Sequence, residues 1–245
     1  MRIIVTTIIF LLIHTYAFEQ EKQPKLQISQ LTGDFYIFTT FGTFKESLIP
    51  ANGMFVITSV GAVMFDSPWD STQLQPLLDS IKTRFKKEVI ICIATHSHDD
   101  RTQGLEFLNQ KGVMTFTTTE TDDISKKRGG KRANHLMNKD TVFKVGGYCF
   151  QTFYGGKGHS PDNIVIWIES ERILYGGCLI KSVEADDLGN LSDSDVTEWG
   201  STIRKIKHKF PSPKFIIPGH QSWTSLNSLD HTLKLIREYL EDKNH

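Results

Sequence analysis

After Pro68 the spacing of apolar residues changes from two to three and four, and that switch decides most of what the chain can fold into. Upstream, LQISQL, DFYIFTTF, GMFVITS and AVMFD alternate or are β-branched and aromatic, and they are broken by Gly33, by Pro50 with Asn52 and Gly53, and by Gly61. They read as a β meander whose segment between Phe38 and Asn52 is a longer hairpin tip carrying Phe41 and Phe44, apolar residues suited to a flap that closes over a ligand. Downstream, Leu74, Leu77, Leu78, Ile81 and Phe85 fall on one face of a helix. Strands are then expected at 88–94, 113–116, 142–145, 148–154, 163–169, 173–175 and 214–217, and helices at 101–110, 119–128, 196–209 and 226–242. A meander followed by strands alternating with helices, twice over, implies two sheets packed face to face with helices outside, an αββα four-layer sandwich of the α/β class.

The first residues stand apart. Met1 and Arg2 give a short positive start, Ile3 to Ile13 form an apolar run too short to span a bilayer, and Thr15 and Ala17 supply small residues ahead of the polar EQEKQPK. Residues 1–17 are expected to be a signal peptide, 18–245 a single exported domain, and the destination the periplasm. No cysteine follows the cleavage point, so a lipid anchor and stable membrane association are not expected. With 28 basic against 28 acidic side chains there is no electrostatic reason to expect nucleic acid as a partner, and nothing resembles an assembly motif, so a monomer is expected. Cys92, Cys149 and Cys178 make an odd count, which leaves at least one thiol unpaired or bound to something. Cys92 and Cys149 read as small core residues, with a disulfide between them left open.

The chemistry is concentrated in ATHSHDDRTQG, directly after the apolar run VIICIA. In an extended segment His96, His98 and Asp100 share a face, so two imidazoles and a carboxylate can converge at a strand end, while Asp99 points to solvent. Imidazole and carboxylate are ligands for a divalent metal such as zinc. Three more strand ends carry similar groups: His159 in the glycine-rich GGKGHSPDN, His220 after the Pro-Gly break of IIPGHQSW, and Cys178 after two glycines in YGGCLIKS. His135, His208, His231 and His245 lack such turns and read as structural or solvated.

In combination THSHDDR, GKGHSPDN, GGCLIKS with DLGNLSD, and PGH, together with DSPWD, make the chain resemble the class B zinc β-lactamases, in the subclass with one three-histidine site and one Asp-Cys-His site. The resemblance covers essentially the whole chain after the leader. It implies two zinc ions (Zn2+) per chain, the first held by His96, His98 and His159 and the second by Asp100, Cys178 and His220. Three neutral imidazoles leave the first cation's charge uncompensated, so a water in the open position would ionise near neutral pH and act as nucleophile, with no covalent enzyme intermediate. A thiolate rather than a thiol would face the second ion. The implied activity is opening of the β-lactam ring of penicillins, cephalosporins and carbapenems, with Asp100 and Asn190 taking part in catalysis. Lys181 would pair with the substrate carboxylate, and Asn190 would both touch the substrate and polarise the lactam oxygen. Asp66, Thr95 and Arg101 are the candidates for a hydrogen-bonded network beneath the second ion.

Two other readings are tested by the same residues. Hydrolases of this scaffold that act on thioesters or other substrates usually carry a histidine after the motif's last Asp and an Asp at the cysteine's place, whereas this chain has Arg101 and Cys178. A zinc-binding protein without catalysis would be expected to close each site with four protein ligands, and here each set offers three.

Overall fold

In the computed structural model, which describes residues 26–243, the two expected sheets and the flanking helices are present. The expected leader lies outside the described residues. The meander forms β1 (Gln27–Thr32), β2 (Phe35–Phe44), β3 (Ser47–Ile57) and β4 (Ala62–Phe65), and after α1 (Leu74–Phe85) come β5 (Val89–Ile93), β6 (Met114–Thr118) and β7 (His135–Met137). These seven lie in sequence order in one sheet, antiparallel through β4 and parallel from β4 to β7. Between β5 and β6 stand α2 (Asp99–Thr102) and α3 (Leu105–Gln110), and α4 (Thr119–Arg128) follows β6. The second sheet orders β12-β11-β10-β9-β8, from β8 (Val142–Val145), β9 (Tyr148–Phe153), β10 (Val165–Ile168), β11 (Ile173–Gly177) and β12 (Phe215–Pro218). It carries α5 (Val196–Lys209) and α6 (Ser228–Asp242) on its outer face.

Strand alternation produces the layers. In β5, Ile91 and Ile93 join Phe35, Phe65, Phe150, Ile166 and Tyr175 between the sheets, while Cys92 and Ala94 face the opposite way and pack with Leu74, Leu77 and Ile81 of α1 and Leu105 and Leu108 of α3. In the second sheet Trp167, Leu174 and Ile216 meet Trp199, Ile203 and Ile206 of α5 and Leu235 and Ile236 of α6. Each of the three interfaces buries large side chains completely, worth roughly 1.5–3 kcal/mol apiece. No helix among the described residues is long and apolar enough to cross a membrane.

Four local expectations are corrected. The expected hairpin tip from Phe38 to Asn52 is paired along its length: β2 and β3 run from Phe35 opposite Val56 to Phe44 opposite Ser47, closed by Lys45 and Glu46, both at positive φ, the two-residue turn whose twist suits a hairpin. Asn52 and Gly53 therefore sit inside β3, and Gly53 is required there because a Cβ would lie 2.0 Å from the Phe38 ring. The helix expected at 101–110 is interrupted by Gly104, with α2 and α3 as separate turns, and the three-residue edge strand β7 was not anticipated. Cys149 is exposed rather than core, because it alternates outward from buried Phe150, and Cys92, Cys149 and Cys178 are all free.

Candidate metal centre

The candidate ligands follow the C-terminal ends of strands, where backbone leaves the ladder and polar side chains can turn to solvent. His96 follows β5, His159 follows β9, Cys178 follows β11 and His220 follows β12. Asp100 arrives differently from the expected strand parity. The chain bends after Ala94, His98 caps α2, and Asp100 lies in its first turn. A helical turn, rather than a continued strand, brings the carboxylate to Cys178 while keeping it within 4.8 Å of a His96 nitrogen, and it leaves Asp99 exposed.

His96, His98 and His159 form a cluster whose ring centroids are 4.7, 5.0 and 4.9 Å apart, each pair close to perpendicular. One nitrogen from each lies within 4.8 Å of the others. His98 Nδ1 is 3.1 Å from His159 Nε2, and His96 Nε2 is buried with no hydrogen-bond partner. A buried ring nitrogen without a partner is costly unless something outside the protein satisfies it. Burial holds the His96 and His159 pKa values well below the usual imidazole range, so both rings are neutral with lone pairs to offer. For His98 burial is outweighed by the Asp193 carboxylate, whose two oxygens each lie 3.1 Å from Nε2, and the pKa is raised. That hydrogen bond assigns the proton of the neutral ring to Nε2 and leaves Nδ1 facing the other imidazoles.

The second cluster is tighter and charged. Cys178 Sγ is 3.1 Å from Asp100 Oδ2 and 3.2 Å from His220 Nε2, and His220 Nε2 is 3.1 Å from Asp100 Oδ2. His220 Nδ1 is fixed by the Pro50 carbonyl at 2.8 Å. Beneath them lies Arg101, only 1% exposed, with every nitrogen engaged. Nε donates to Asp100, Nη1 to the Asn52 carbonyl at 2.6 Å and to Asp66 at 3.4 Å, and Nη2 to Cys178 Sγ at 3.0 Å and the Gly219 carbonyl at 2.8 Å. Gly219 must be glycine, since a Cβ would fall 2.7 Å from Arg101 Nη2 and 2.8 Å from Cys178 Sγ. Asp66, in the left-handed region at φ 61°, accepts from Thr95 N at 2.7 Å, Thr95 Oγ1 at 3.0 Å and Tyr175 OH at 2.7 Å. The expected Asp66, Thr95 and Arg101 network is thus brought together in space.

The two acidic groups of this cluster suit a divalent cation. Burial would raise the Asp100 pKa, but Arg101 and His220 overcome it and hold the carboxylate well below its ordinary range. Burial raises the Cys178 thiol despite the guanidinium against it. One arginine therefore does not stabilise both anions at once, and a divalent cation among Asp100, Cys178 and His220 would. The donor sets fit metal ions: three imidazoles with an unpartnered nitrogen in one, and carboxylate, thiol and imidazole in the other, with His96, Asp100 and Cys178 close enough to join them.

Lys181 lies buried beside the clusters, its Nζ 5.3 Å from the Trp199 ring centre and its pKa lowered by burial. Asn190 Oδ1 accepts from Ser192 N at 3.2 Å, a turn that engages the side-chain oxygen with its own backbone. Of the remaining histidines, His135 stacks on Phe116 and His231 bonds the Ala185 carbonyl, both away from the clusters. Three residues of the site carried no assigned role from sequence. Asp193 stands in the DLGNLSD segment already singled out for Asn190. Asn52, which reads as a turn residue before Gly53, supplies the carbonyl under Arg101 and anchors the Pro218 and Gln221 carbonyls through Nδ2. Trp199 backs His159 at 5.8 Å between ring centres, and only its place on the apolar face of a helix hinted at it.

Comparison with known proteins agrees with this geometry. Residues 49–220 match the family model described as the metallo-beta-lactamase superfamily. The chain is similar to a metallo-beta-lactamase type 2 from Elizabethkingia meningoseptica, 40% identical with 91% of this chain and 89% of that one covered. It is also similar to metallo-beta-lactamase IND-1 from Chryseobacterium indologenes, 37% identical over 94% of this chain and 96% of that one. Among solved structures, metallo-beta-lactamase IND-7 superposes with a TM-score of 0.84 at 38% identity, covering 86% of this chain and 98% of that one.

Proposed function

The chain belongs to the metallo-beta-lactamase superfamily, among the class B zinc β-lactamases, and from that membership and the two donor clusters we propose that it opens the β-lactam ring of penicillins, cephalosporins and carbapenems and so confers resistance to them. Hydrolysis of the cyclic amide by a metal-dependent enzyme is the activity that the named relatives support, and the three substrate classes are the finer part of the reading.

In this reading His96, His98 and His159 hold one zinc ion and Asp100, Cys178 and His220 a second. When bound, such ions supply Lewis acidity toward the amide and lower the pKa of water, the nucleophile that the reaction needs. The chain's own groups do the rest. Arg101 keeps Asp100 ionised and the Asp100 and Cys178 donors aimed at one point, and Asp66 with Thr95 fixes Arg101 from below. Lys181 offers a buried positive charge to the carboxylate of the substrate, where low dielectric makes the pairing strong. Asn190, whose Oδ1 accepts from Ser192 N, keeps its amide N–H2 free to donate to the lactam oxygen. Phe41 and exposed Phe44 of the β2–β3 ribbon would close over the bound ring. No protein nucleophile is involved, and the enzyme acts as an exported monomer in the periplasm.

The observation that carries this reading is the meeting of three mutually perpendicular imidazoles, one with a buried unpartnered nitrogen, beside an Asp-Cys-His set. Purified protein loaded with zinc should hydrolyse a carbapenem, lose the activity to a chelator and regain it with added zinc. A chain that binds two zinc ions and turns over no β-lactam would refute it.

A further inference from the structure

Resting on that metal-site reading, we propose that Arg128 is a positioning residue of the three-imidazole cluster, acting on His98 through Asp193. Asp193 sits in the irregular segment between β11 and α5, where no ladder or helix holds its backbone. Its nearest backbone ties are Ser194 N to the Leu191 carbonyl at 3.4 Å and Asp195 N to the Gly158 carbonyl at 2.8 Å. A carboxylate on such a segment orients an imidazole only if something else fixes the carboxylate. Arg128 does so: its Nη2 lies 2.6 Å from Asp193 Oδ2, the oxygen that is also 3.1 Å from His98 Nε2.

The arginine is itself held. It is the last residue of α4, whose end is closed by Gly129 in the left-handed conformation, with Gly129 N bonded to the Lys126 carbonyl and Gly130 N to the Ser125 carbonyl. Arg132 folds back onto the same helix through two bonds to Asp122, at 2.7 and 2.6 Å, which stiffens the segment leaving it. A relay therefore runs from a capped helix end through one carboxylate to a ring nitrogen, and it spans three elements that share no strand pairing. Lys126 and Lys127 stand beside Arg128 in sequence, but Arg128 is the cation bonded to Asp193. The guanidinium bond is partly exposed and adds little to stability by itself. Its effect falls on the orientation of His98, and partners one bond removed from a metal ligand commonly change affinity by about 10–100-fold.

The test is cobalt and zinc titration of the metal-free protein for the wild type, Arg128→Ala, Arg128→Lys, Asp193→Ala and the Arg128→Ala/Asp193→Ala double variant. Arg128→Ala should weaken the three-imidazole site about tenfold and leave the cobalt-thiolate absorption of the Cys178 site unchanged. Arg128→Lys should recover part of the loss, and Arg128→Ala should have no further effect once Asp193 is gone. Unchanged affinity in Arg128→Ala, equal weakening of both sites, or an undiminished effect in the Asp193→Ala background would each overturn the relay. A wild type that takes up no metal would instead refute the hydrolase reading, and nitrogen NMR of His98 in the metal-free protein still decides the relay. A single Nε2–H tautomer that becomes mixed in Arg128→Ala supports it, and the same tautomer in both contradicts it.

Discussion

The two donor clusters lie side by side on one rim yet are held by opposite means. His96, His98 and His159 are imidazoles packed edge to face, steadied by Trp199 and by one carboxylate at the margin. Asp100, Cys178 and His220 rest on a fully buried guanidinium that also binds Asp66 and two backbone carbonyls. Packing orients the first set at little electrostatic cost, whereas the second requires buried charges of both signs to stay paired. The difference teaches that the stability of the fold tolerates loss of a support under one cluster and not under the other.

The contrast should be largest for the central cations' partners. Arg101→Ala strands Asp66 and Asp100 in the interior, and urea unfolding of the metal-free variant should show a loss of about 3–5 kcal/mol. Asp193→Ala leaves only a half-exposed arginine and a neutral ring, and the loss should be about 1 kcal/mol. Equal losses would erase the distinction. Next in size, Cys178→Ser removes the one proposed ligand that would become a thiolate. Metal counting should show the second ion bound on the order of a thousandfold more weakly, about 4 kcal/mol, with the first ion retained. Two ions held as tightly as in the wild type would contradict the assignment of Cys178.

The outer carboxylates that support the two clusters, Asp66 and Asp193, should also differ in the sign of their pH response. Asp66 is raised by burial from 3.8 to about 6, so the folded protein holds that proton more tightly than the unfolded chain. Its contribution to stability is present below pH 4 and lost as pH rises through 6, by no more than about 3 kcal/mol. Asp193 is held at about 2 against 3.8, burial being overcome by His98 and Arg128, so its contribution is present above pH 4 and lost as pH falls toward 2, by at most about 2 kcal/mol. Melting of the metal-free protein against Asp66→Asn and Asp193→Asn should show slopes of opposite sign in these two windows. Parallel slopes would mean that the supports are alike. The smallest effect concerns Lys181, which lies against Trp199 between the two regimes. Lys181→Ala should raise KM about tenfold, near 1.4 kcal/mol, with kcat within about twofold. An unchanged KM would remove it from substrate binding.

Much of the candidate site was legible because its residues interrupt apolar strands. His96, His159, Cys178 and His220 each stand where a β run stops, and polar, ligating side chains at four such places are unusual enough to be seen. Their grouping into two sets came from family resemblance, not from spacing. The layers were legible from alternation in β5 and the stripe on α1. What stayed hidden depends on distant partners. Asn52 followed by Gly looks like turn chemistry, yet the Arg101 guanidinium and the Phe38 ring draw both residues into a strand. The carboxylate under His98 comes from a segment with no periodicity, 95 positions away, and its arginine from a helix with almost no apolar face. The break between α2 and α3 left no pattern either, because Asp100 and Arg101 are buried for charge rather than for hydrophobicity.

The most direct test is anomalous diffraction at the zinc edge from crystals of the zinc-loaded protein. Two peaks are expected: one about 2.0–2.1 Å from His96 Nε2, His98 Nδ1 and His159 Nε2, and one about 2.3 Å from Cys178 Sγ with Asp100 and His220 completing it. A peak away from these nitrogens, or none beside Cys178, would contradict the two-cluster reading on which the proposed hydrolysis depends.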